Sequence, residues 1–224
     1  MPGIRLTGIK QLAVCSAVGI VSCVLAGCAG LSRSSFDAAK LALKRDALAI
    51  DAAQVAASPW AQIRVDGPHG ASLMVLGNDD AGLTSWYSPD RKIVFLRGGI
   101  LAGTEGLDID AVEICMLGEN PFTRLSAVTV ANTKRRYDWA PGYRHGVVLR
   151  GELRQGPIEN IEILGVSRQL RRFDESLRGS GFEALNRYWA DPSTGAILRS
   201  RQFVSPGMYL EISVLKPYIS GAVP

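Results

Sequence analysis

The sequence predicts a mostly β protein: a curved antiparallel meander sheet or half-barrel, with one N-terminal helix packed on or inside it. Three observations support this prediction. Short apolar runs are separated by tight polar turns, no helical pattern lies between them, and one stretch near the N-terminus has helical periodicity. Parallel strands need crossover connections of a dozen or more residues, and this spacing leaves no room for them.

The first 27 residues have the layout of a bacterial lipoprotein signal peptide. Arg5 and Lys10 precede an apolar run, and Leu25-Ala26-Gly27 leads into Cys28. We therefore expect cleavage before Cys28, a diacylglyceryl group on its thiol, a further acyl chain such as palmitate on its amine, and a tether over residues 28–33. An uncleaved transmembrane anchor is the alternative, but the apolar run is short for a span of about 20 residues.

Residues 35–57 are predicted to form the helix of a single domain over residues 34–224. Ser34 followed by Asp37 is typical of a capping box, and Ser58-Pro59 is typical of a helix end. Apolar side chains lie on more than one side of this helix, and its charged residues crowd into one narrow edge. We therefore expect the sheet to enclose it. A helix lying on the membrane surface would have a broader and more basic polar face.

Strand-like periodicity begins near Gln62 and continues to Lys216. The predicted strands are Ser72–Leu76, Leu83–Tyr87, Lys92–Leu96, Lys134–Trp139, Val147–Leu153, Ile158–Leu164, Ser167–Ser176, Phe182–Ala190, Ala196–Phe203 and Tyr209–Lys216. Leu101–Leu107 is either a further strand or the loop after one. The turn Asp191–Gly195 predicts a tight hairpin, because proline fixes φ and glycine accepts a positive φ.

Residues 108–132 have the weakest pattern in the chain. Asp110–Leu117 is predicted to be a short helix that Pro121 ends.

Composition limits the classes of function. Removal of residues 1–27 leaves 197 residues and lowers the formal charge from +4 to +2, so no basic stripe for nucleic acid remains. Cys115 is predicted to be a small buried apolar residue. His69 and His145 each lack a second ligand at metal spacing, so we expect no metal site and no cofactor.

An ordered series of aromatic, proline and glycine positions occurs in the second half of the chain, at Tyr137–Gly146, Asn186–Gly195, Leu198–Gln202 and Leu215–Pro217. Together with the motif before Cys28, this series resembles the group 4 capsule polysaccharide lipoproteins of the YjbF/GfcB type. The likeness runs from about Pro59 to Pro217. It implies an outer-membrane lipoprotein that accompanies capsule or exopolysaccharide export, and it implies no catalytic residues.

Aromatic and basic side chains near two turns are the candidate contacts to a glycan or a partner protein. These candidates are Trp139, Tyr143, Arg144 and Trp189. Aromatic faces stack on sugar rings, but large aromatics also fill sheet interiors. Tyr188 and Trp189 are neighbours on a strand, so they point to opposite faces and at most one of them joins a given surface. The turns Pro141–His145 and Ser205–Met208 are the predicted contact surfaces.

The sequence contains little evidence of a catalytic site. Ser205, His145 and Asp138 supply the residue types of a hydrolase triad, but the sequence has no nucleophile elbow. A glycosidase needs two suitably spaced carboxylates; Glu152 and Asp191 are nominal candidates, and Asp191 already begins a turn. We therefore predict that the protein is not an enzyme.

Three functions are compatible with these features. The first is a non-enzymatic accessory in capsule or exopolysaccharide export or assembly, anchored to the outer membrane through Cys28 and facing the periplasm. Its expected partners are polysaccharide export proteins or the polysaccharide, and no nucleic acid. The second is a carrier that holds an acyl chain or a lipoprotein in a concave apolar sheet. A polysaccharide-modifying enzyme ranks last.

Overall fold

The computed structural model describes residues 50–142 and 144–219. One α-helix lies in this part of the chain, α1 (Ala52–Ala57), and the Asp51 side chain caps it by accepting a hydrogen bond from the Ala53 N–H at 2.9 Å. Ala52–Ala57 is helical and ends at the predicted residue, but Ile50 and Asp51 are not helical, so the predicted helix over 35–57 is not continuous. Its portion before residue 50 lies outside the described residues.

Twelve strands follow, and their order in the chain is β1 (Gln62–Gly67), β2 (Gly70–Asp80), β3 (Leu83–Tyr87), β4 (Ile93–Arg97), β5 (Ile100–Glu105), β6 (Asp110–Met116), β7 (Val130–Ala140), β8 (Arg144–Ile163), β9 (Val166–Gly179), β10 (Phe182–Ala190), β11 (Ile197–Ser205) and β12 (Met208–Lys216). A 3-10 helix, Pro121–Ala127, connects β6 to β7. Within the described residues, no helix is long and apolar enough to cross a membrane.

The predicted helix at Asp110–Leu117 is strand β6. A bulge between Ala111 and Glu113 shifts the register of β6 against β7, so the buried residues Ala111 and Ile114 lie three positions apart. That spacing is typical of a helix face, which explains why the sequence pattern was misleading.

Two predicted strands, Val147–Leu153 and Ile158–Leu164, are parts of the single strand β8. Gly156-Pro157 lies between the two predicted strands. In the structure, a register shift between Gln155 and Ile158 absorbs this pair as a bulge, and the pairing with β9 continues on both sides.

All twelve strands form one antiparallel sheet in the order β5-β4-β3-β2-β1-β12-β11-β10-β9-β8-β7-β6. The first and last strands pair, with Ile63 opposite Val214 and Val65 opposite Ile212. This pairing joins the two halves of the chain and leaves β5 and β6 as the end strands of the sheet. Because β5 and β6 lie against each other, the sheet nearly closes on itself. The predicted fold class, a curved antiparallel meander, is confirmed.

The inner face of the sheet carries the core. Its largest fully buried side chains are Trp139, Arg135, Tyr137, Tyr188, Phe173, Ile63, Met74, Leu101, Leu125, Leu149, Leu153 and Leu170. Full burial of a large apolar side chain contributes about 1.5–3 kcal/mol, so this filled interior supplies much of the stability. One member, Arg135, is charged, and it leads to the candidate site.

Candidate functional site

The seam between β5 and β6 opens into a cleft of about 520 Å³, which we call the seam cleft. Its wall on the β5 side comes from Phe95, Arg97 and Ile100–Ala102, and its wall on the β6 side comes from Val112–Met116. Gly118, Asn120, Leu83 and Arg135 complete the lining. Residues of both end strands and the buried Arg135 contribute to the seam cleft.

The two end strands contact each other at Thr104, Asp110 and Ala111. The Thr104 hydroxyl donates to Asp110 Oδ1 at 2.9 Å and accepts from the Ala111 N–H at 3.0 Å. A Cβ added to Gly103 would lie 3.2 Å from the Ala111 carbonyl oxygen, so the backbones are close there. Beyond this point β5 and β6 share no ladder of hydrogen bonds in the described structure, although they are consecutive in the chain.

Gln202 on β11 holds the β5 edge from inside the sheet. Its Oε1 accepts from the Leu101 N–H at 2.8 Å, and its Nε2 donates to the Gly99 carbonyl at 2.9 Å. Backbone groups that a neighbouring strand would normally pair are thus bound by a buried side chain. This contact fixes β5 across the interior rather than against β6, and the seam stays open.

A buried ion pair lies under the seam cleft. Arg135 Nε and Nη2 donate to the two carboxylate oxygens of Glu175 at 2.9 and 2.8 Å, and Arg135 and Glu175 are 2% and 0% exposed. Three further groups complete the cluster: the Glu175 carboxylate also accepts from Thr133 Oγ1, Asn186 Nδ2 and Tyr188 Oη.

The environment of this cluster shifts the pKa values of Glu175 and Tyr188. Burial alone would raise the pKa of Glu175, but the charge of Arg135 and the hydrogen bonds that the carboxylate accepts outweigh burial, so the pKa lies below its ordinary 4.5. Burial raises the pKa of the Tyr188 hydroxyl well above 10.0, so this group stays protonated. Glu175 is therefore an ionised, fully hydrogen-bonded carboxylate, an arrangement suited to holding structure rather than to transferring protons.

Arg135 has unused donor capacity. Its guanidinium lies 5.3 Å from the centroid of the Phe122 ring, and two of its nitrogens are bound to Glu175 and Tyr188. The third, Nη1, makes no hydrogen bond to any residue that the structure describes. Since Arg135 also lines the seam cleft, the cleft floor presents a donor that can meet a hydroxyl or carbonyl oxygen of a ligand.

The structure separates the sequence-predicted contact residues. Trp139 is only 2% exposed, its indole N–H donates to the Val204 carbonyl, and it packs against Tyr137 and Phe203, so it is a core residue rather than a surface contact. Arg144 is exposed at the start of β8, with its guanidinium 5.7 Å from the Phe182 ring centroid. Tyr143 and Cys28 lie outside the described residues.

Trp189 lies on the outer face, and Tyr188 is fully buried on the inner face, as strand geometry predicted. The Trp189 indole N–H donates to Glu159 Oε2 at 2.7 Å, and its ring lies 5.8 Å from the Arg199 guanidinium carbon. The Trp189 ring therefore contacts Glu159 on β8 and Arg199 on β11, so only part of the ring is available to a ligand.

The nominal catalytic residues do not form a site. Ser205 is fully buried, whereas His145 is exposed on β8. Asp191 has the predicted turn role: it accepts from the N–H groups of Ser193 and Thr194, both at 2.9 Å, and these hydrogen bonds, with that of the Ser193 hydroxyl the strongest, lower its pKa to about 2. No group of three or more metal-ligating side chains occurs among the residues of the described ranges.

Sequence reasoning missed Arg135 and Glu175. A signal was available for Arg135: the buried positions of β7 alternate as Thr133, Arg135, Tyr137 and Trp139. A charged residue in phase with an apolar face needs a buried partner. The sequence does not reveal that the partner is Glu175, two strands away.

Comparisons with known proteins agree with the fold and with the predicted resemblance. The family model described as "Group 4 capsule polysaccharide lipoprotein gfcB, YjbF" matches residues 34–215. The chain is 24% identical over 208 residues to a protein of Escherichia coli (strain K12) named "Uncharacterized lipoprotein GfcB", and the alignment covers 89% of this chain and 97% of the relative. The crystal structure of the hypothetical lipoprotein YmcC from Escherichia coli (K12) superposes with a TM-score of 0.68 at 20% identity, covering 83% of this chain and 95% of that one.

The structural likeness, at this low identity, shows the shared fold. The family model spans most of the sequence, including the strands that build the seam cleft and the buried ion pair. This chain therefore belongs to the group 4 capsule polysaccharide lipoprotein family of the YjbF/GfcB type.

Proposed function

We propose that this protein is a non-enzymatic accessory in the export or assembly of a capsule or exopolysaccharide, lipid-anchored to the outer membrane and facing the periplasm. It acts by binding either an export protein or the polymer. One observation supports a binding role best: the seam cleft combines open strand edges, apolar walls and the unused donor of Arg135 in one concave site. Such concave, mostly apolar sites with a few placed polar groups are typical binding sites.

The membrane placement rests on the sequence. The motif ending at Cys28 supports a lipid anchor, and several acyl chains hold a protein on a membrane more firmly than one. Ala29 follows the cysteine where an aspartate commonly signals retention in the inner membrane of enteric bacteria, so we place the anchor in the outer membrane.

The carrier alternative is less well supported. A carrier of acyl chains needs an apolar cavity open to its cargo, whereas the described inner face is filled by large aromatic side chains such as Trp139 and Tyr188 and by the buried Arg135–Glu175 pair. An acyl chain in that space would have to displace the ion pair and leave it without partners, which is costly.

A complementation experiment tests the export role. We expect a strain that lacks the protein to make polysaccharide precursor normally but to secrete less polymer, and the wild-type protein to restore secretion. Ala102→Trp places a large side chain in the seam cleft from the partly exposed face of β5 and should fail to restore secretion. The matched control, Val166→Trp, puts the same side chain at an exposed position of β9 and should complement fully.

A double substitution tests the turn Pro141–His145, which the sequence predicts to be a contact surface. Replacement of both Tyr143 and Arg144 by alanine should weaken secretion without unfolding the domain if the loop contacts a partner. Normal secretion without the protein would refute the export role. Turnover of the polymer by the purified protein would refute the non-enzymatic one.

A further inference from the structure

Many basic side chains on the outer face of the sheet have an acidic partner on the same or a neighbouring strand, and others, such as Arg97 and Arg171, donate to a backbone carbonyl. The pairs are Arg154–Glu152 at 2.5 Å, Arg172–Asp174 at 3.1 Å, Arg187–Asp174 at 3.2 Å and Arg199–Glu211 at 3.1 Å. Opposite charges placed side by side in this way stabilise a sheet modestly and leave little net field.

One set of three neighbours breaks this pattern, and we call it the basic row: Lys134 on β7, Arg150 on β8 and Arg178 on β9. Lys134 is directly opposite Arg150, and Arg150 is directly opposite Arg178. All three side chains are exposed. Adjacent strands lie about 4.8 Å apart, so the row spans roughly 10 Å across the sheet.

The basic row has one ion pair among the described residues, and Glu119 is the acidic residue that lines a pocket with Lys134 and Arg150. Lys134 and Arg150 make no ion pair or hydrogen bond through their side chains with any described residue. Arg178 has one, to Glu183 at 3.4 Å, and both of those side chains are about three-quarters exposed, at 76% and 77%. An exposed pair of this length is worth little in water.

Like charges directly opposite on a sheet are destabilising. All three side chains are exposed, so their burial does not offset this cost. A function that uses the concentrated positive charge accounts for it. A flat row on a sheet is more suitable for a linear polymer than for a compact ligand, which would need a concave site.

We propose that the basic row binds the acidic groups, carboxylate or phosphate, of an anionic polysaccharide; this inference rests on the proposed function and deepens it by naming the class of polymer. The segment Leu117–Asn120 lies between the two sites, because Leu117 and Glu119 line a pocket with Lys134 and Arg150, while Gly118 and Asn120 line the seam cleft. A polymer on the basic row therefore lies next to the seam cleft.

The test uses the mature lipidated protein in nanodiscs of neutral phosphatidylcholine. Binding is measured to immobilised polygalacturonate, an acidic polysaccharide, to dextran, a neutral one, and to phosphatidylglycerol vesicles. The Lys134→Glu/Arg150→Glu double variant should bind polygalacturonate at least about tenfold more weakly than wild type, because two attractive charges become repulsive. Wild-type binding should weaken as salt is raised, and dextran should bind no better to wild type than to the variant.

The matched control is Arg91→Glu/Arg168→Glu, which makes the same change in net charge at two exposed positions outside the row. Equal loss of binding in this control would mean that only net charge matters, and it would overturn the proposal. Failure of wild type to bind polygalacturonate would also overturn it. Binding of phosphatidylglycerol vesicles through the row in place of polygalacturonate would assign the row to the membrane surface instead.

The outcomes separate this inference from the proposed function. Normal secretion in the deletion strain would refute the export role and leave the binding result standing. Defective secretion together with unchanged polygalacturonate binding in Lys134→Glu/Arg150→Glu would refute only the basic row.

Discussion

At the scale of single residues, the buried pair of Arg135 and Glu175 is the feature with the largest energetic consequence. Removal of one partner from a buried ion pair leaves an uncompensated charge and typically costs about 3–5 kcal/mol. Replacement of both partners by apolar residues is often much less harmful. The pair therefore constrains what the interior can contain, whether or not it adds net stability.

We expect Glu175→Gln to lower the free energy of unfolding by about 3 kcal/mol, because Arg135 would keep its charge without a counterion. Urea denaturation of the lipidated protein in neutral detergent measures this loss. Glu152→Gln is the control: Glu152 makes an ion pair with Arg154 on the outer face, and its loss should change stability by less than about 1 kcal/mol.

We also expect Glu175→Gln to change how the free energy of unfolding depends on pH. The folded-state pKa of Glu175 is lower than the ordinary 4.5, so between these values the unfolded chain binds more protons than the folded one. The stabilisation is complete above pH about 4.5 and is lost as the pH falls through the folded-state pKa. Glu175→Gln should flatten this part of the stability curve, and an unchanged acid slope would show that Glu175 is not ionised in the folded protein.

At the scale of elements, the sequence predicted most strands because their turns are marked by Pro, Gly and Asp. It did not predict β6 or the full length of β8, and the reason is the same for both. In each strand a bulge adds a residue, so the period-two alternation shifts phase and the pattern resembles a helix in one case and a loop in the other. Bulge positions depend on the partner strand, and the sequence of one strand does not contain that information.

Gly151 shows how closely the central strands are packed. A Cβ at this position of β8 would lie 2.2 Å from Thr133 Oγ1 and 2.7 Å from a methyl carbon of Leu177. We expect Gly151→Ala to destabilise the protein by about 1–3 kcal/mol, since β7 and β9 must shift to make room. The shift would also disturb the hydrogen bond from Thr133 to Glu175.

Thermal unfolding of Gly151→Ala beside Ser176→Ala measures this effect. Ser176 is an exposed residue of β9, so its substitution should be nearly neutral. Equal melting temperatures for the two variants would mean that the interior next to Thr133 is looser than the structure shows.

At the scale of the whole molecule, the sequence predicted the antiparallel meander but not the order in which its two halves join. Pairing of β1 with β12 places β5 and β6 at the ends of the sheet, and this order creates the seam cleft. The basic row was equally hidden, because Lys134, Arg150 and Arg178 are distant in sequence and become neighbours only through strand register. The order of charged residues in a sequence can reveal charges that align along one strand or helix. It does not reveal charges that align across several strands of a sheet.

Anchoring is a property of the whole molecule that the sequence alone predicts. Cys28→Ser removes the thiol that accepts the lipid, so we expect an uncleaved precursor without acyl chains. Labelling with radioactive palmitate followed by electrophoresis detects both changes. Continued incorporation of label into normally processed Cys28→Ser protein would contradict the lipoprotein interpretation, and fractionation of wild type with inner-membrane markers alone would contradict the outer-membrane placement.

The sheet order also has a consequence for folding kinetics. The strands form two meanders, β1–β5 and β6–β12, and within each meander every paired neighbour is consecutive in the chain. Among the described strands, the ladder between β1 and β12, which pairs Gln62 with Lys216, is the single long-range pairing. Closing a longer loop costs more chain entropy, so we expect this ladder to form last. Ile63→Val on β1 should therefore speed unfolding with little change in the folding rate, and stopped-flow refolding distinguishes the two effects.

During synthesis and translocation, one edge of β1 stays unpaired until β12 has emerged, because β12 is the strand that pairs with it. An unpaired strand edge of this kind is a template for association with other chains. The nascent protein is consequently most vulnerable to aggregation shortly before β12 pairs with β1, and a chaperone that shields β1 would have its greatest effect at that moment.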